Sequence, residues 1–205
     1  MSKKAPKQAP RSYHHGDLHA VLVRKARNIL EKEGFAELSL RRVAQAAGVS
    51  PAAPYHHFAD KQALLDAVSA EGFVALRAGM LARMAKKADP SARLDACGVG
   101  YIVFAVENPA LFQLMFGGCG HQGSTNKALA RSRELAHEVL EIAVAECAPG
   151  DKVTALTSLR LWALAHGVAK LILEGGVKPS DYGLKSPEKL AESLLDRGSW
   201  AQKPL

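Results

Sequence analysis

Side chains that can bind phosphate are concentrated at the amino-terminal end of this chain of 205 residues. Residues 1–61 hold eleven of its 27 lysines and arginines but only five of its 20 acidic residues, so nearly all of the net charge of +7 lies there. Positive charge confined to one end is typical of a segment that meets a polyanion, and the nearly neutral remainder must have another task. Charge alone leaves open a basic tail that only keeps the chain soluble.

Cys119 and His121 are close enough in the sequence to suggest metal binding or redox sensing. They lie in a glycine-rich stretch, residues 117–123. Two candidate ligands fall short of the four that a structural zinc site needs, and nothing in the sequence indicates a lowered thiol pKa. The stretch also lacks the preceding strand and the Lys-Ser/Thr pair of a phosphate-binding loop. We predict no metal site and no cofactor, and a redox role for Cys119 stays open.

Other classes of protein are excluded by what the sequence lacks. No paired carboxylates, nucleophile with a base, or metal-ligand spacing supports catalysis, so we predict that the chain is not an enzyme. Its three cysteines are widely and irregularly spaced, which fits a reducing compartment. No stretch approaches the roughly 18 unbroken apolar residues of a membrane span, and residues 1–11 lack the apolar core of a signal peptide. We expect a soluble, cytoplasmic protein with no membrane partner.

The elements that must position the basic residues are all helices. Apolar residues recur three and four apart, glycines and prolines interrupt the pattern, and strand alternation is nowhere seen. Residues 1–12 combine basic residues with Pro6 and Pro10 and predict a flexible basic arm. We expect an all-α fold of about nine helices, at residues 17–34, 39–48, 50–58, 60–89, 91–106, 109–115, 126–147, 151–174 and 186–196.

Two short helices joined by a glycine turn are predicted between residues 39 and 58. Ser39 is placed to cap the first, which ends at Gly48, and Ser50 with Pro51 suits the beginning of the second. A short helix, a turn and a second short helix are how many proteins present a recognition helix to the major groove of DNA. By itself this pattern is not specific to DNA binding.

The residues around the pattern resemble the signature of the TetR family of bacterial transcriptional regulators. The shared features are the capped helix with Arg41, the Ala-Gly-Val-Ser turn at 47–50, the Tyr-His-His-Phe sequence at 55–58, and Asp60-Lys61 at the beginning of the fourth helix. The resemblance implies a basic arm at 1–12, a three-helix helix-turn-helix domain at 13–62, and a helical domain for ligand binding and dimerisation at 63–200.

The resemblance also implies which residues meet DNA. Arg41 would reach a guanine edge or a phosphate, because a guanidinium can bond bidentately to either, and Arg42 would contact a phosphate. The small residues at 51–53 can touch a thymine methyl but donate no hydrogen bond, so direct readout by this helix would be thin. The implied DNA-binding residues are Arg41, Arg42, Ser50, Pro51, Ala52, Ala53, Tyr55, His56, His57 and Lys61.

Phosphate contacts would come from residues at the end of the recognition helix and just beyond it. Tyr55 and His57 would bond phosphates, and Lys61 would do so with help from the helix that begins beside it. Pro54 removes the backbone hydrogen bond to Ser50 and crowds that carbonyl. We therefore expect the recognition helix to begin late or tightened, which would shift the assigned base contacts.

In the carboxy-terminal two thirds, the resemblance implies a ligand cavity. The segments 101–104 and 111–116 are rich in aromatic and Met side chains, which suit a hydrophobic ligand, although an ordinary core would use the same residues. Trp162, His166 and Gly167 resemble a Trp/His/Gly motif found in one subgroup of the family, and Tyr13–Leu18 is similar to that subgroup too; a packed aromatic with a hydrogen-bonded core histidine is the alternative. The candidate cavity residues are Tyr101, Phe104, Phe112, Met115, Phe116, Trp162 and His166.

Taken together, the residues and the resemblance predict a transcriptional regulator. It would bind a palindromic operator on double-stranded DNA as a repressor and be released by a small hydrophobic ligand. Two recognition helices must reach successive major grooves, so a homodimer is expected, through the helices at about 151–174 and 186–196. The alternative is a nonspecific architectural DNA-binding protein. The basic arm and the thin base readout would suit that alternative, but the long neutral region would have no role in it.

Overall fold

A computed structural model describes residues 18–117, 125–147 and 151–196, with the side chains of 151–154 left out. The described residues form eight α-helices and two 3-10 helices and contain no strand, as the apolar periodicity predicted. The α-helices are α1 Leu18–Glu33, α2 Leu40–Ala47, α3 Lys61–Met84, α4 Pro90–Glu107, α5 Pro109–Phe116, α6 Lys127–Cys147, α7 Asp151–Leu173 and α8 Pro187–Leu195, and the 3-10 helices are Ala53–His56 and Pro179–Tyr182. The basic arm, Cys119, His121 and most of the Tyr13–Leu18 segment lie outside the described residues.

Local capping signals begin and end the helices of the amino-terminal part. The Ser39 side chain accepts a hydrogen bond from the backbone N–H of Arg42 (3.2 Å), and the Asp60 carboxylate accepts one from Ala63 (2.8 Å). Gly48 ends α2 in the left-handed conformation at φ 70°, which glycine adopts without steric cost. The short-range signals in the sequence thus fix the ends of α2 and the beginning of α3.

The third predicted helix is a 3-10 helix, Ala53–His56, instead of an α-helix. Pro54 has no N–H, so it cannot donate the α-helical bond to the carbonyl of Ser50. That carbonyl accepts from the N–H of Ala53 at 3.0 Å, and the N–H of Tyr55 bonds to the carbonyl of Ala52 at 3.1 Å. The expectation of a late, tightened recognition helix is confirmed.

Apolar side chains of α1, α2 and the 3-10 helix meet the beginning of α3 in a helix-turn-helix head. Leu22, Leu30, Val43, Phe58 and Leu64 are all at most 2% exposed. The hydrophobic core continues along α3 into the remaining helices, which form the body of the molecule. The domain boundary predicted at 62/63 therefore falls at the beginning of a helix that the head and the body share.

The body consists of α3, α4 and α6 packed together, with α7 and α8 against α4. Within the described residues, only the segment Ala155–Leu173 of α7 is long and apolar enough to cross a membrane. The pair of α4 and α5 passes the same test only when the two are counted together, and they are bent by 109° where they join. Only 22% of that α7 window is buried. The helix therefore keeps an apolar face exposed, as helices at protein interfaces also do.

A second contact joins the head to the body at the beginning of α5. The Glu31 carboxylate of α1 accepts hydrogen bonds from the backbone N–H groups of Leu111 (2.9 Å) and Ala110 (3.4 Å). Arg27, one turn earlier, donates to the Asn108 side chain at 2.6 Å. Asn108 makes no side-chain cap of its own for α5. Glu31 therefore acts as the N-cap of a helix in the other part of the molecule.

Removing this cap is expected to lower stability. We predict that Glu31→Ala reduces the free energy of unfolding by about 1 kcal/mol, the usual effect of losing an N-cap. Chemical denaturation measures it, with Glu37→Ala, an exposed acidic residue of the same head, as the matched control. Equal unfolding free energies for the two variants would contradict the capping role.

Candidate nucleic-acid interface and ligand cavity

Most of the residues predicted to contact DNA are exposed on the head. Arg41, Pro51, Ala52 and His56 are exposed, and the Tyr55 side chain is 59% exposed although it is large and aromatic. A tyrosine hydroxyl can bond to phosphate, and an arginine guanidinium can bond to phosphate or to base edges. Ser50 is exposed beside them.

Pro54 changes which residues of the recognition segment face outward. Its ring is buried in the head, and the tightened turn leaves Ala53 only half-buried instead of exposed. The structure therefore leaves Pro51, Ala52, Tyr55 and His56 exposed and Ala53 partly buried. Which of these residues contact bases stays a prediction.

Arg42 is engaged within the head. Its guanidinium donates to both carboxylate oxygens of Glu33 on α1, at 2.8 Å and 3.1 Å. This bidentate pair ties α2 to α1. A phosphate contact from Arg42 would have to replace Glu33, so Arg41 is the arginine of α2 more readily available to DNA.

Lys61 and His57 lie against aromatic rings. The Lys61 ammonium is 4.5 Å from the centroid of the Phe35 ring, a cation–π contact at the beginning of α3. The His57 ring is half-buried and packs near His19 and Phe58. Both residues are half-buried, so part of each remains accessible to solvent.

The body encloses a large cavity between α3, α4, α6, α7 and α8. Its volume is about 890 Å³, near the upper end of the range of roughly 300–1,000 Å³ for small-molecule pockets. Apolar side chains from α3, α4, α7 and α8 supply most of its wall. These are Phe73, Leu76, Met80, Leu94, Leu161, Leu164, Leu194 and Leu195.

Three of the seven predicted cavity residues line this space. They are Tyr101, Phe116 and Trp162. Phe104, Phe112 and Met115 are instead buried in the core beside it, at most 7% exposed. His166 also lies outside the lining, behind Tyr101. Sequence could not separate these two sets, because core and cavity wall use the same residue types.

Tyr101, Trp162 and His166 form a hydrogen-bonded group at the cavity wall. The Trp162 Nε1–H donates to the Tyr101 hydroxyl at 3.3 Å, and that hydroxyl is 2.8 Å from His166 Nδ1. Burial raises the pKa of Tyr101, so the phenol stays protonated and can donate to Nδ1. Burial and the nearby Lys170 ammonium lower the pKa of His166, which keeps its ring neutral and able to accept.

A pH dependence of stability follows from this group. The pKa of His166 is lower in the folded chain than its ordinary value of 6.5, so the unfolded chain binds the proton more readily below that pH. We expect the free energy of unfolding to fall as the pH is lowered through 6.5, and His166→Gln to remove part of that fall. Denaturation between pH 5 and pH 8 measures it, with His137→Gln, an exposed histidine of α6, as the control. A fall of the same size in both variants would contradict the assignment to His166.

Cys97 also faces the cavity, but its thiol is not set up for chemistry. Burial raises its pKa to about 12, and its sulfur is 3.8 Å from the Met80 sulfur. A thiol held protonated is a poor nucleophile and a poor metal ligand. Among the residues that the structure describes, no group of three or more His, Cys, Asp or Glu side chains could hold a metal ion.

Sequence reasoning missed the charged part of the cavity wall. Five side chains of α6 and one of α7 border its opening, namely Arg133, Glu134, His137, Glu138, Glu141 and Arg160. Four of the α6 residues recur three and four apart and share one face of the helix, namely Glu134, His137, Glu138 and Glu141. That spacing was visible in the sequence, but a row of charges on a helix ordinarily indicates a solvated face.

Comparison with protein-family models gives two matches that together cover most of the chain. Residues 22–68 match a model described as bacterial regulatory proteins of the tetR family. Residues 94–197 match a model described as a tetracyclin repressor-like carboxy-terminal domain. The first match covers most of the helix-turn-helix head, and the second covers nearly all of α4 and α5 to α8, which supply the cavity wall other than its α3 residues.

Solved structures share the fold over nearly the whole chain. A protein of unknown function from a Rhodococcus species is 32% identical, with 92% of this chain and 96% of that chain covered and a TM-score of 0.75. The TetR family regulator PfmR from Thermus thermophilus is 22% identical, with 85% and 94% covered and a TM-score of 0.60. AibR, solved in complex with isovaleryl coenzyme A and operator DNA, is 20% identical, with 86% and 95% covered and a TM-score of 0.61.

Proposed function

Because this chain belongs to the TetR family of bacterial regulatory proteins, we propose that it is a transcriptional repressor that a small, largely apolar ligand releases from a palindromic operator. The observation that carries the proposal is one molecule with an exposed helix-turn-helix surface and a separate cavity of about 890 Å³ joined by α3. Regulators of this kind carry out no catalysis. Because operator DNA in a bacterium lies in the cytoplasm, we propose that the protein acts there.

The DNA-binding surface is proposed to use two kinds of contact. Arg41, Tyr55 and His56 are exposed and carry hydrogen-bond donors, while Pro51 and Ala52 offer only apolar contact to thymine methyl groups. Lys61 and His57 at the edge of the surface fit phosphate contacts, which position the protein without reading sequence. Arg42 is the least favoured contact of the set, since Glu33 already holds it.

A homodimer is proposed to form through α7. Three leucines on this helix are about half exposed: Leu156 at 58%, Leu159 at 52% and Leu171 at 49%. Their separations of three and twelve residues place them on one face of the helix. Gly167 lies between them, and a Cβ placed there would contact nothing within 4 Å, so a partner helix can approach closely. The exposed side chains of α8 are polar, and Lys189 pairs with Glu192 at 2.6 Å. Of the two helices we predicted at the interface, α7 offers the apolar surface.

Ligand binding is proposed to act on DNA binding through α3 and α5. Lys61 at the beginning of α3 lies at the DNA-binding surface, and Phe73, Leu76 and Met80 on the same helix line the cavity. Phe116 of α5 lines it too, and Glu31 of the head caps that helix. A ligand shifts the equilibrium between two conformers only by its difference in affinity for them. The ligand is proposed to favour the conformer with the recognition segments at the wrong separation.

The Trp/His/Gly motif is proposed to mark the subgroup of the family to which this chain belongs. Trp162 lines the cavity and donates to Tyr101, and His166 is hydrogen-bonded to the same tyrosine. Gly167 lies on the face proposed for dimerisation. Each of the three residues therefore has a separate role in one turn and a half of α7.

Selection of genomic DNA fragments by the purified protein at near-physiological salt tests the proposal. Enrichment of one palindromic site is the expected result, and the enriched site would name the regulated genes. Uniform recovery of fragments would instead favour the nonspecific DNA-binding alternative, in which phosphate contacts alone set the affinity.

A further inference from the structure

The end of the cavity between α3, α4 and α8 accepts only apolar groups. Phe73, Leu76, Met80, Leu94 and Leu195 border it, and each is at most 6% exposed. A charged group placed among them would lose its hydration without gaining a partner. This end therefore fits a hydrocarbon chain.

The polar groups at the cavity wall near this end are already bonded to each other. Trp162 donates to the Tyr101 hydroxyl, and that hydroxyl is hydrogen-bonded to His166 Nδ1. Among the described residues, the buried side-chain polar atoms without a hydrogen-bond partner include none from these three residues. A ligand thus needs no polar group along the part of it that lies inside.

The opening of the cavity between α6 and α7 is charged, and its carboxylates have partners. Glu134 and Glu138 pair with Arg131 at 3.5 Å and 3.1 Å, and Glu141 lies 3.4 Å from His137. Asp95, the remaining carboxylate of the lining, also has a partner. A cationic ligand would have to compete with these partners for every carboxylate.

Two arginines at the same opening are differently placed. Arg133 of α6 and Arg160 of α7 border the cavity, and within the described part of the chain neither makes an ion pair. An anion between these helices would gain charge-assisted contacts without breaking an existing pair. Both side chains are exposed in the single chain, and Arg160 lies one turn after Leu156, at the edge of the α7 face proposed for dimerisation. The attraction is therefore modest and sensitive to salt.

From this distribution we propose that the ligand is an anionic amphiphile, whose hydrocarbon chain lies between α3, α4 and α8 and whose head group meets Arg133 and Arg160. The inference rests on the proposed function only in assigning the regulatory ligand to this cavity. Burial of the chain supplies most of the affinity, and each added methylene should tighten binding about threefold to fourfold until the apolar end is full. The arginines select the sign of the head group.

Isothermal titration calorimetry with ligands that share one chain tests the proposal. The probes are decanoate, 1-decanol and decyltrimethylammonium, added to the full-length protein. Decanoate should bind at least about fivefold more tightly than decyltrimethylammonium, because only the anion gains contacts at the opening. Tightest binding of decyltrimethylammonium, or equal binding of all three, would overturn the proposal, as would binding of none.

A double substitution shows whether the two arginines make the difference. Arg133→Gln with Arg160→Gln should weaken decanoate binding to the level of 1-decanol and leave the affinity for 1-decanol unchanged. The matched control is Arg77→Gln, an exposed arginine of α3 away from the cavity lining. Unchanged binding of 1-decanol shows that the double variant is folded, so an unchanged decanoate affinity in it would overturn the assignment.

Two further arms separate this inference from the proposed function. Decanoyl coenzyme A, compared with decanoate, distinguishes a head group that carries phosphates from a free carboxylate, and either one binding more tightly than decyltrimethylammonium supports the anionic head. Release of the protein from its selected operator is followed by fluorescence anisotropy. Anion binding without release from the operator would support the anionic ligand class and overturn the proposed function. Release by the cationic probe alone would support the proposed function and overturn the anionic ligand class.

Discussion

Replacing Arg41 and Tyr55 together with alanine is expected to weaken operator binding by a factor of about 100 or more. A bidentate arginine contact alone contributes about 1–3 kcal/mol of discrimination, and each tenfold loss of affinity corresponds to about 1.4 kcal/mol. A dimer loses each contact twice. Fluorescence anisotropy with the selected operator at near-physiological salt measures the loss.

Two matched variants show that this loss belongs to the DNA-binding surface. Arg77→Ala removes an exposed positive charge from α3, far from the recognition segment, and should leave the operator affinity nearly unchanged. Arg41→Lys keeps the charge but removes the bidentate geometry, so its effect should lie between the two. If the double variant and Arg77→Ala bound the operator equally, the proposed surface would be wrong.

Replacing Leu156 and Leu159 with aspartate is expected to convert the dimer into a monomer. Both leucines are more than half exposed in the single chain, and a dimer that buried them would have to bury four unpaired carboxylates in the double variant. Sedimentation or light scattering measures the mass. Because a monomer reaches only one half-site, its operator affinity should fall by a factor of about 100 or more.

Val74→Asp is the control for this prediction. Val74 lies on α3 and is 59% exposed, almost the same fraction as Leu156. The substitution introduces the same charge at an equally exposed apolar position outside α7, so the Val74→Asp variant should remain a dimer. A dimer in the Leu156/Leu159 variant, or a monomer in Val74→Asp, would contradict the interface on α7.

The helix-turn-helix head could be predicted from sequence because short-range signals determine it. Ser39 and Asp60 cap helices through bonds to residues three positions along, and Gly48 ends α2 by its own backbone conformation. Even the 3-10 form of the recognition segment follows from one residue, Pro54, which lacks an N–H. Such signals can be interpreted without knowing the tertiary structure.

Contacts between distant parts of the chain could not be predicted in the same way. The Glu31 carboxylate caps a helix about 80 residues away, and Arg42 is held by Glu33 of the preceding helix, because packing of α1 brings these groups together. The charged face of α6 borders a cavity only because α7 lies across from it. A sequence shows the face of a single helix, but it does not show which helix that face meets.

The ratio of affinities for two duplexes tests the central claim most directly. The dimer is titrated with its selected operator and with a duplex of the same length and composition whose half-sites are scrambled, at near-physiological salt. A regulator of the proposed kind should prefer its operator by a factor of about 10³ or more. A ratio near one would mean that phosphate contacts alone hold the protein on DNA, which would contradict a sequence-specific repressor.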